Sequence, residues 1–451
     1  MYPNPQDALP LPPHPSLEQY RKRAKDLVAA CKAGEAAGIG EWTTEWIEHL
    51  DALHRQPERA RQPAELASRI SEVEQFFRVK LLGEGRQRSR CSLAQAQFVI
   101  ARAHGFAGWP KLANHLEALD QENSAVSAFE AAADAIVSGD SAGLARLLRE
   151  RPELIRARST REHRSTLLHY VSANGVENYR QRTPKNAVDI AGILLDAGAE
   201  VDAEADVYGG GATTLGLVAT SAHPRAVGVQ NDLIDVLLRN GARMDLQGAG
   251  NKHNMVYACL ANGCPEAAAH LVTRGAPVDL PAAAGIGRLD LVKTFFDHDG
   301  LPKPSTTKTE IHEAFGQACI HGHAEAADFL LQRGADVRAR LRIVGAGHTA
   351  LHVAAWGGHI DVVKLLIRHR APLDESDETW GTAPIVWALH GWSTNRSAPP
   401  GRYSAVVAML ANAGAAVKAE WLNDPNVRAD PKLLATLQSR VEGGIERFST
   451  S

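Results

Sequence analysis

The stretch from Thr349 to Ile367, TALHVAAWGGHIDVVKLLI, constrains the fold more than any other part of the chain. Small residues, Ala354 and Ala355, sit where two helices must approach closely. Gly358 then breaks the first helix, and Val362, Val363, Leu365 and Leu366 give the second an apolar face at helical spacing. One helical hairpin of this kind cannot bury its apolar face alone, so further copies must stack beside it.

Copies are present on both sides. In the units around Gly263, Gly287, Gly322 and Gly358, the residue that ends the second helix follows the helix break by twelve positions. Three other units are stretched. From Gly175 to Gly198, Ala222 to Gly241 and Gly391 to Gly414 the same interval is 23, 19 and 23 residues, so each carries an insertion between its two helices. An earlier unit runs through Gly139-Asp140 and Leu144, Leu147 and Leu148 to Pro152. About eight repeats are expected over residues 123–420.

The Thr349–His359 segment matches the pattern T-x-L-H-x-A-A-x-x-G-H and so resembles an ankyrin repeat. That resemblance implies an all-α fold, an ankyrin-repeat solenoid of helix-turn-helix repeats with short β-hairpin fingers. It also implies a module that binds another protein through its fingers and first helices, without catalysis. His169 and His352 occupy the T-x-L-H position, where the family's imidazole bonds backbone and the preceding threonine. His323 and His359 follow helix-break glycines. Gly209–Gly211 and Gly345-Ala346-Gly347 suit tight finger turns with positive φ. The finger between Gly275 and Leu280 should be truncated.

Residues 1–122 read as a helical N-terminal region behind a proline-rich lead-in. Ser16 and Gln19 form a capping box, opening a helix to about Lys32 that Gly34 should stop. Further helices are expected near 43–54 and 63–82. A second capping box, Ser92 and Gln95, starts a helix to His104, Gly105 turns the chain, and Pro110 starts another. Phe106 and Trp109 should fill that corner. This segment resembles one found ahead of the repeats in uncharacterised bacterial ankyrin proteins, which carries no transferable role. Residues 421–451 should be a C-terminal capping helix, started by Asp430-Pro431, and a tail.

Composition excludes several function classes. A net charge of −3 without a basic block offers nothing to a phosphate backbone, and the helix after Gly105 is poor in basic side chains for a DNA reader. Cys31, Cys91, Cys259, Cys264 and Cys319 are odd in number and include no C-x-x-C pair. They are expected as buried free thiols in a reducing compartment. With neither a signal peptide nor a membrane-length apolar run, the expectation is a cytoplasmic protein, a monomer by default. His253, Cys259, Cys264 and His270 lack the paired spacing of a zinc site. The triple glycine lacks the Lys-Ser/Thr of a P-loop, and neither G-x-S-x-G nor H-E-x-x-H occurs. The expectation is therefore no catalytic residue, no metal and no cofactor.

The partner surface is expected in two places. The insertions carry Tyr179, Arg180, Arg182, Trp392, Arg396, Arg402 and Tyr403, residue types that dominate binding hot spots. The concave face would use Tyr208, His348 and Trp380 on fingers, with Tyr170 and Trp356 on first helices. The leading function is binding of an unidentified protein partner, with neither nucleic acid nor membrane involved. Its alternative is a small-molecule or peptide pocket, hydrolysis included, built on the insertion loops.

Overall fold

A computed structural model describes residues 4–53, 63–83, 91–121, 123–245, 254–341, 347–394 and 399–449. The chain divides into two compact units, Met1–Met255 and Val256–Ser451. Both are mostly helical. No helix among the described residues is long and apolar enough to cross a membrane.

The first unit opens with four helices, α1 (Leu17–Leu53), α2 (Pro63–Leu82), α3 (Leu93–Ala103) and α4 (Trp109–Leu119). Helix α1 overturns the expected stop at Gly34: it is assigned continuously through Gly34, Gly38 and Gly40, absorbing the separate helix expected from residue 43. Gly34 faces open space, and Gly40 serves close packing instead. A Cβ on Gly40 would stand 2.7 Å from Oε1 of Glu74 on α2. Leu27, Ile39, Trp46, Ile47 and Leu50 bury one face of α1 against Phe77, Val99, Ile100 and Leu116, and helices rest on tertiary burial more than on propensity. Phe106 is fully buried at the α3–α4 corner and Trp109 is half-buried, whereas Phe98 is exposed.

Cys31 and Cys91 form a disulfide that ties α1 to the start of α3. This corrects the expectation of five free thiols. Cysteine spacing along the chain carried no sign that two residues 60 positions apart fold back to bring their Cα atoms to 6.1 Å. Cys259, Cys264 and Cys319 are free and buried, as expected.

Helix pairs follow within the same unit. Helices α5 (Ala125–Ser138) and α6 (Ser141–Glu150) turn at Gly139, whose φ is 84°. Asp140 accepts the Gly143 N–H at 2.8 Å to start α6. The next first helix is a 3-10 segment, Leu167–Ser172, and its partner is α7 (Ala187–Asp196). Strands β1 (Glu204–Ala205) and β2 (Ala212–Thr213) then pair antiparallel, Glu204 opposite Thr213, forming a finger. Tyr208 and Gly209–Gly211 all have positive φ in its turn, as the triple glycine predicted. Helices α8 (Thr214–Ala219), α9 (Ala222–Val227) and α10 (Gln230–Arg239) complete the unit; α9 is the second insertion, folded as a short helix.

The second unit stacks pairs in sequence order: α11 (Met255–Ala261) with α12 (Pro265–Thr273), α13 (Leu280–Gly285) with α14 (Leu289–Lys293), and α15 (Lys308–Ile320) with α16 (Ala324–Gln332). Then come α17 (Ala350–Trp356) with α18 (Ile360–Arg368), and α19 (Pro384–Thr394) with α20 (Pro400–Ala413). First helices α13, α15, α17 and α19 pack successively on one another, and α14, α16, α18 and α20 form the second row. Ala283, Ala284, Ala314, Ala318, Ala354 and Ala355 of the first helices are fully buried in the shared core, where larger side chains would hold the helices apart. No strand is assigned among the residues between α12 and α13, consistent with the truncated finger. A bridge between Leu341 and His348 closes the finger before α17; Gly345 and Ala346 lie outside the described residues. Asp430 accepts the Leu433 N–H at 3.1 Å and starts α22 (Pro431–Ser449), which packs on α20; the short α21 (Pro425–Ala429) precedes it.

Candidate partner-binding surface

Two groups of polar and aromatic side chains stand out, one in each unit. They differ in what they leave exposed.

In the first unit the insertion after Gly175 does not form an open loop. Its 3-10 turn, Asn178–Arg180, drives Arg180 inward. The Arg180 guanidinium meets Glu130 of α5 at 2.7 Å and Asp134 at 2.7 Å. Arg161, on the segment leading into the 3-10 turn Leu167–Ser172, meets the other Glu130 oxygen at 2.8 Å and Glu177 at 3.0 Å. Two guanidiniums thus face two buried carboxylates. Tyr179 accepts from Arg161 at 3.0 Å, and Tyr170 donates to Glu177 at 3.5 Å. Burial on its own would raise the Glu130 carboxyl, but Arg161 and Arg180 outweigh it and hold the pKa down to about 2. Glu177 is likewise held well below the usual carboxylate range, by Arg161 foremost among its charged neighbours.

The same cluster fastens the front helices to the helix pairs that follow them. Arg161 lies over the Phe106 ring at 5.4 Å, and Thr160 bonds Nδ1 of His115 on α4 at 2.7 Å. Arg102 of α3 pairs with Glu162. At the other edge, Leu9 of the proline-rich lead-in donates its N–H to the Ala103 carbonyl at 2.8 Å and accepts at 2.9 Å from Nδ1 of His104. Its Nε2 then accepts from Tyr20 at 2.9 Å. With both nitrogens used and no solvent contact, burial pushes His104 down to about 3. The charges of this cluster are answered within it, so its chemistry is that of an interlock.

The family-pattern histidines are placed as expected. His169 Nδ1 accepts from the Thr166 N–H at 3.1 Å, so the proton sits on Nε2, which faces the Ala212 carbonyl at 3.3 Å. His352 repeats the arrangement with Thr349 and the Thr382 carbonyl, the latter at 3.0 Å. Nε2 of His359 bonds the Ile320 carbonyl at 2.8 Å. Each ties one helix pair to a neighbouring segment. Among the described residues there is no group of three or more His, Cys, Asp or Glu side chains placed to hold a metal ion.

In the second unit, the finger between α18 and α19 is built on one carboxylate. Asp377 accepts the backbone N–H groups of Thr379 (2.8 Å), Trp380 (2.6 Å) and Thr382 (2.9 Å). It also accepts the Thr382 hydroxyl (2.7 Å) and the indole N–H of Trp387 (3.2 Å). Burial favours its neutral form, but these bonds prevail and keep the carboxyl well below its ordinary pKa. Trp387 is buried, with His348 against its ring at 5.5 Å and His352 edge-on at 5.3 Å. Trp380 stands on the outer side of Trp387 at 5.3 Å and is 66% exposed.

The twelve expected surface residues therefore separate. Tyr170, Arg180, His348 and Tyr403 are at most 3% exposed and serve packing, which takes them off any surface. Tyr403 fills the space left by two glycines: a Cβ on Gly358 or Gly391 would stand 3.2 or 3.0 Å from its ring. Tyr179, Trp356 and Trp392 are half-buried, and Arg182 and Arg402 are exposed. Tyr208 is 54% exposed, its hydroxyl donating to Asn174 at 2.7 Å. Arg396 lies outside the described residues. The third insertion corrects another expectation, since its flanking residues extend α19 and α20 beyond the lengths of α17 and α18. Sequence reading missed Asp377 and Trp387. The spacing Asp377-x-x-Trp380-x-Thr382 before a helix was the available signal, an Asx-type turn with its own donors.

Comparison with known proteins gives the following. Residues 280–379 match the family described as ankyrin repeats, in three copies. A stretch of 84 residues is 33% identical to Protein fem-1 homolog A-like of Mus musculus, covering 19% of this chain and 12% of that protein. A stretch of 54 residues is 44% identical to Notch-regulated ankyrin repeat-containing protein A of Danio rerio, covering 12% of this chain and 46% of that protein. The Notch-regulated ankyrin repeat-containing protein of Homo sapiens is similar at the same identity over 45% of its length. The chain thus spans less than half the length of the curated relatives it matches.

Proposed function

From the premise that this is an ankyrin-repeat chain, its repeats lying at 280–379, we propose that it is a protein-binding module that performs no chemistry of its own. The observation that carries this reading is Trp380. A tryptophan left two-thirds exposed, on a turn fixed by five hydrogen bonds to Asp377, is pre-organised for contact, and exposed aromatic anchors dominate interface energetics. Trp356, half-buried on the first helix before this finger, belongs to the same repeat series. Arg182 and Arg402 of the insertions, together with Tyr208, are secondary contacts in this reading.

Ankyrin repeats generally mediate protein–protein interaction, which supports the class of activity, and the partner is a protein. The pocket alternative on the insertion loops loses its main support. Its best polar groups, Arg180 and Tyr179, are engaged with Glu130 and Arg161. We further read the protein as monomeric, with no part in nucleic-acid binding; the Cys31–Cys91 disulfide removes the free-thiol argument for a cytoplasmic location.

The test is affinity capture with the full chain and with Trp380→Ala from a lysate of the source organism. A protein retained by the wild type and lost with the variant is expected. Retention of no protein by either would sink the reading.

A further inference from the structure

The finger that carries Trp380 is acidic as well as aromatic. From Ala371 to Asn395 the chain holds Asp374, Glu375, Asp377 and Glu378 and not one lysine or arginine. Arg340 is the cation that answers them, at 2.6 Å from Glu375 and 3.9 Å from Glu378. Arg340 also donates to the Gly347 and Ser376 carbonyls, at 2.6 and 3.0 Å, so it is committed to holding two fingers together. Asp377 is consumed by its five donors. Glu378 remains exposed two positions from the exposed indole, whereas Asp374, also exposed, accepts the Ala416 N–H at 2.8 Å.

An indole face is electron-rich, and it attracts a cation most when neighbouring carboxylates add negative potential. Trp387 backs Trp380 edge-on and is itself anchored by its indole N–H, so the outer ring is held rather than swinging free. Such a surface discriminates against acidic segments, because like charges across an interface are costly.

We propose that the Trp380 finger recognises a basic segment of the partner protein, laying an arginine or lysine side chain on the indole with Glu378 facing its charge. This rests on the protein-binding reading above and adds the chemical class of the partner. Guanidinium is the better fit, since it is planar, weakly hydrated and stacks on aromatic faces.

Calorimetric titration of the full chain with deca-arginine, deca-lysine, deca-glutamate and a neutral Gly-Ser decapeptide tests it. The cationic peptides are expected to bind, the arginine one more tightly, and the other two to give no heat. Trp380→Ala should lower the affinity for deca-arginine by about tenfold, the scale of one lost cation–π contact. Trp380→Phe should retain most of it, and Glu378→Gln should cost about threefold. Because both side chains are exposed, the three variants leave the buried core intact. Equal binding of deca-arginine to wild type and Trp380→Ala would overturn the proposal, as would binding of deca-glutamate. Panning the full chain against displayed random dodecamers separates the two levels. Binders indifferent to Trp380 overturn the basic-segment inference and leave the protein-binding reading standing, whereas a chain that selects no binder overturns both.

Discussion

Arg180 shows how one residue can be identified by type and misplaced by position. An arginine in an insertion beside a tyrosine has the composition of a binding hot spot, yet the same side chain equally suits a buried carboxylate pair. Removing one partner of a buried ion pair strands the other charge, at a cost of about 3–5 kcal/mol. Arg180→Ala should therefore destabilise the protein by about that much in urea denaturation, while Arg180→Met combined with Glu130→Gln should recover a large part. A single variant within about 1 kcal/mol of wild type would show that the quartet does not hold this unit together. Acid reads out the neighbouring histidines. His104, held down to about 3, and His115 and His169, both down to about 4, are kept neutral by burial. The unfolded chain binds protons at these positions near the ordinary histidine pKa, so their contribution is complete above about 6.5 and falls away as pH drops toward 4. Glu130 works lower: its contribution is complete above the ordinary carboxylate range and is lost only as pH falls toward 2. Urea midpoints should thus decline from pH 7 to pH 5, before carboxylates titrate. A flat profile over that interval would contradict the burial of these imidazoles.

At the scale of elements, the glycines sort by what faces them. Gly322 ends α15 with a φ of 82°, and a Cβ there would stand 2.6 Å from Nδ1 of His359, which is bonded to the Ile320 carbonyl. Gly334 has a comparable φ of 98° at the end of α16 but faces open space. Gly322→Ala should cost about 2–4 kcal/mol, strain plus the displaced imidazole, whereas Gly334→Ala should cost about 1 kcal/mol from strain alone. Thermal melts of the two variants give the order directly, and a reversed order would remove the His359 contact from the account. The helix breaks themselves were legible because left-handed backbone selects glycine locally. The run of α1 through Gly34 was not, because what sustains it is burial against α2 and α3, residues distant in sequence.

On the scale of the whole molecule, the disulfide makes a prediction that the cysteine pattern could not. A bond closing a 60-residue interval restricts the unfolded chain, and such links contribute about 2–4 kcal/mol. Dithiothreitol should lower the stability of the full chain by that order, and Cys31→Ser with Cys91→Ser should abolish the response. A wild-type protein indifferent to reductant, with five titratable thiols after unfolding, would place all cysteines in the reduced state.

The sequence by itself determined the repeat. Helix breaks, alanines at close crossings, the threonine–histidine pairs and the glycine finger turn depend on residues within a few positions of one another, and local sterics decide them. The tertiary structure alone decided which aromatic and charged side chains face water. Tyr170, Arg180, His348 and Tyr403 were indistinguishable from Trp380 by type, and burial separated them, since exposure depends on packing partners from elsewhere in the chain. The same holds for Arg161 meeting Glu130 and for Cys31 meeting Cys91, contacts between residues far apart in sequence that no local pattern encodes.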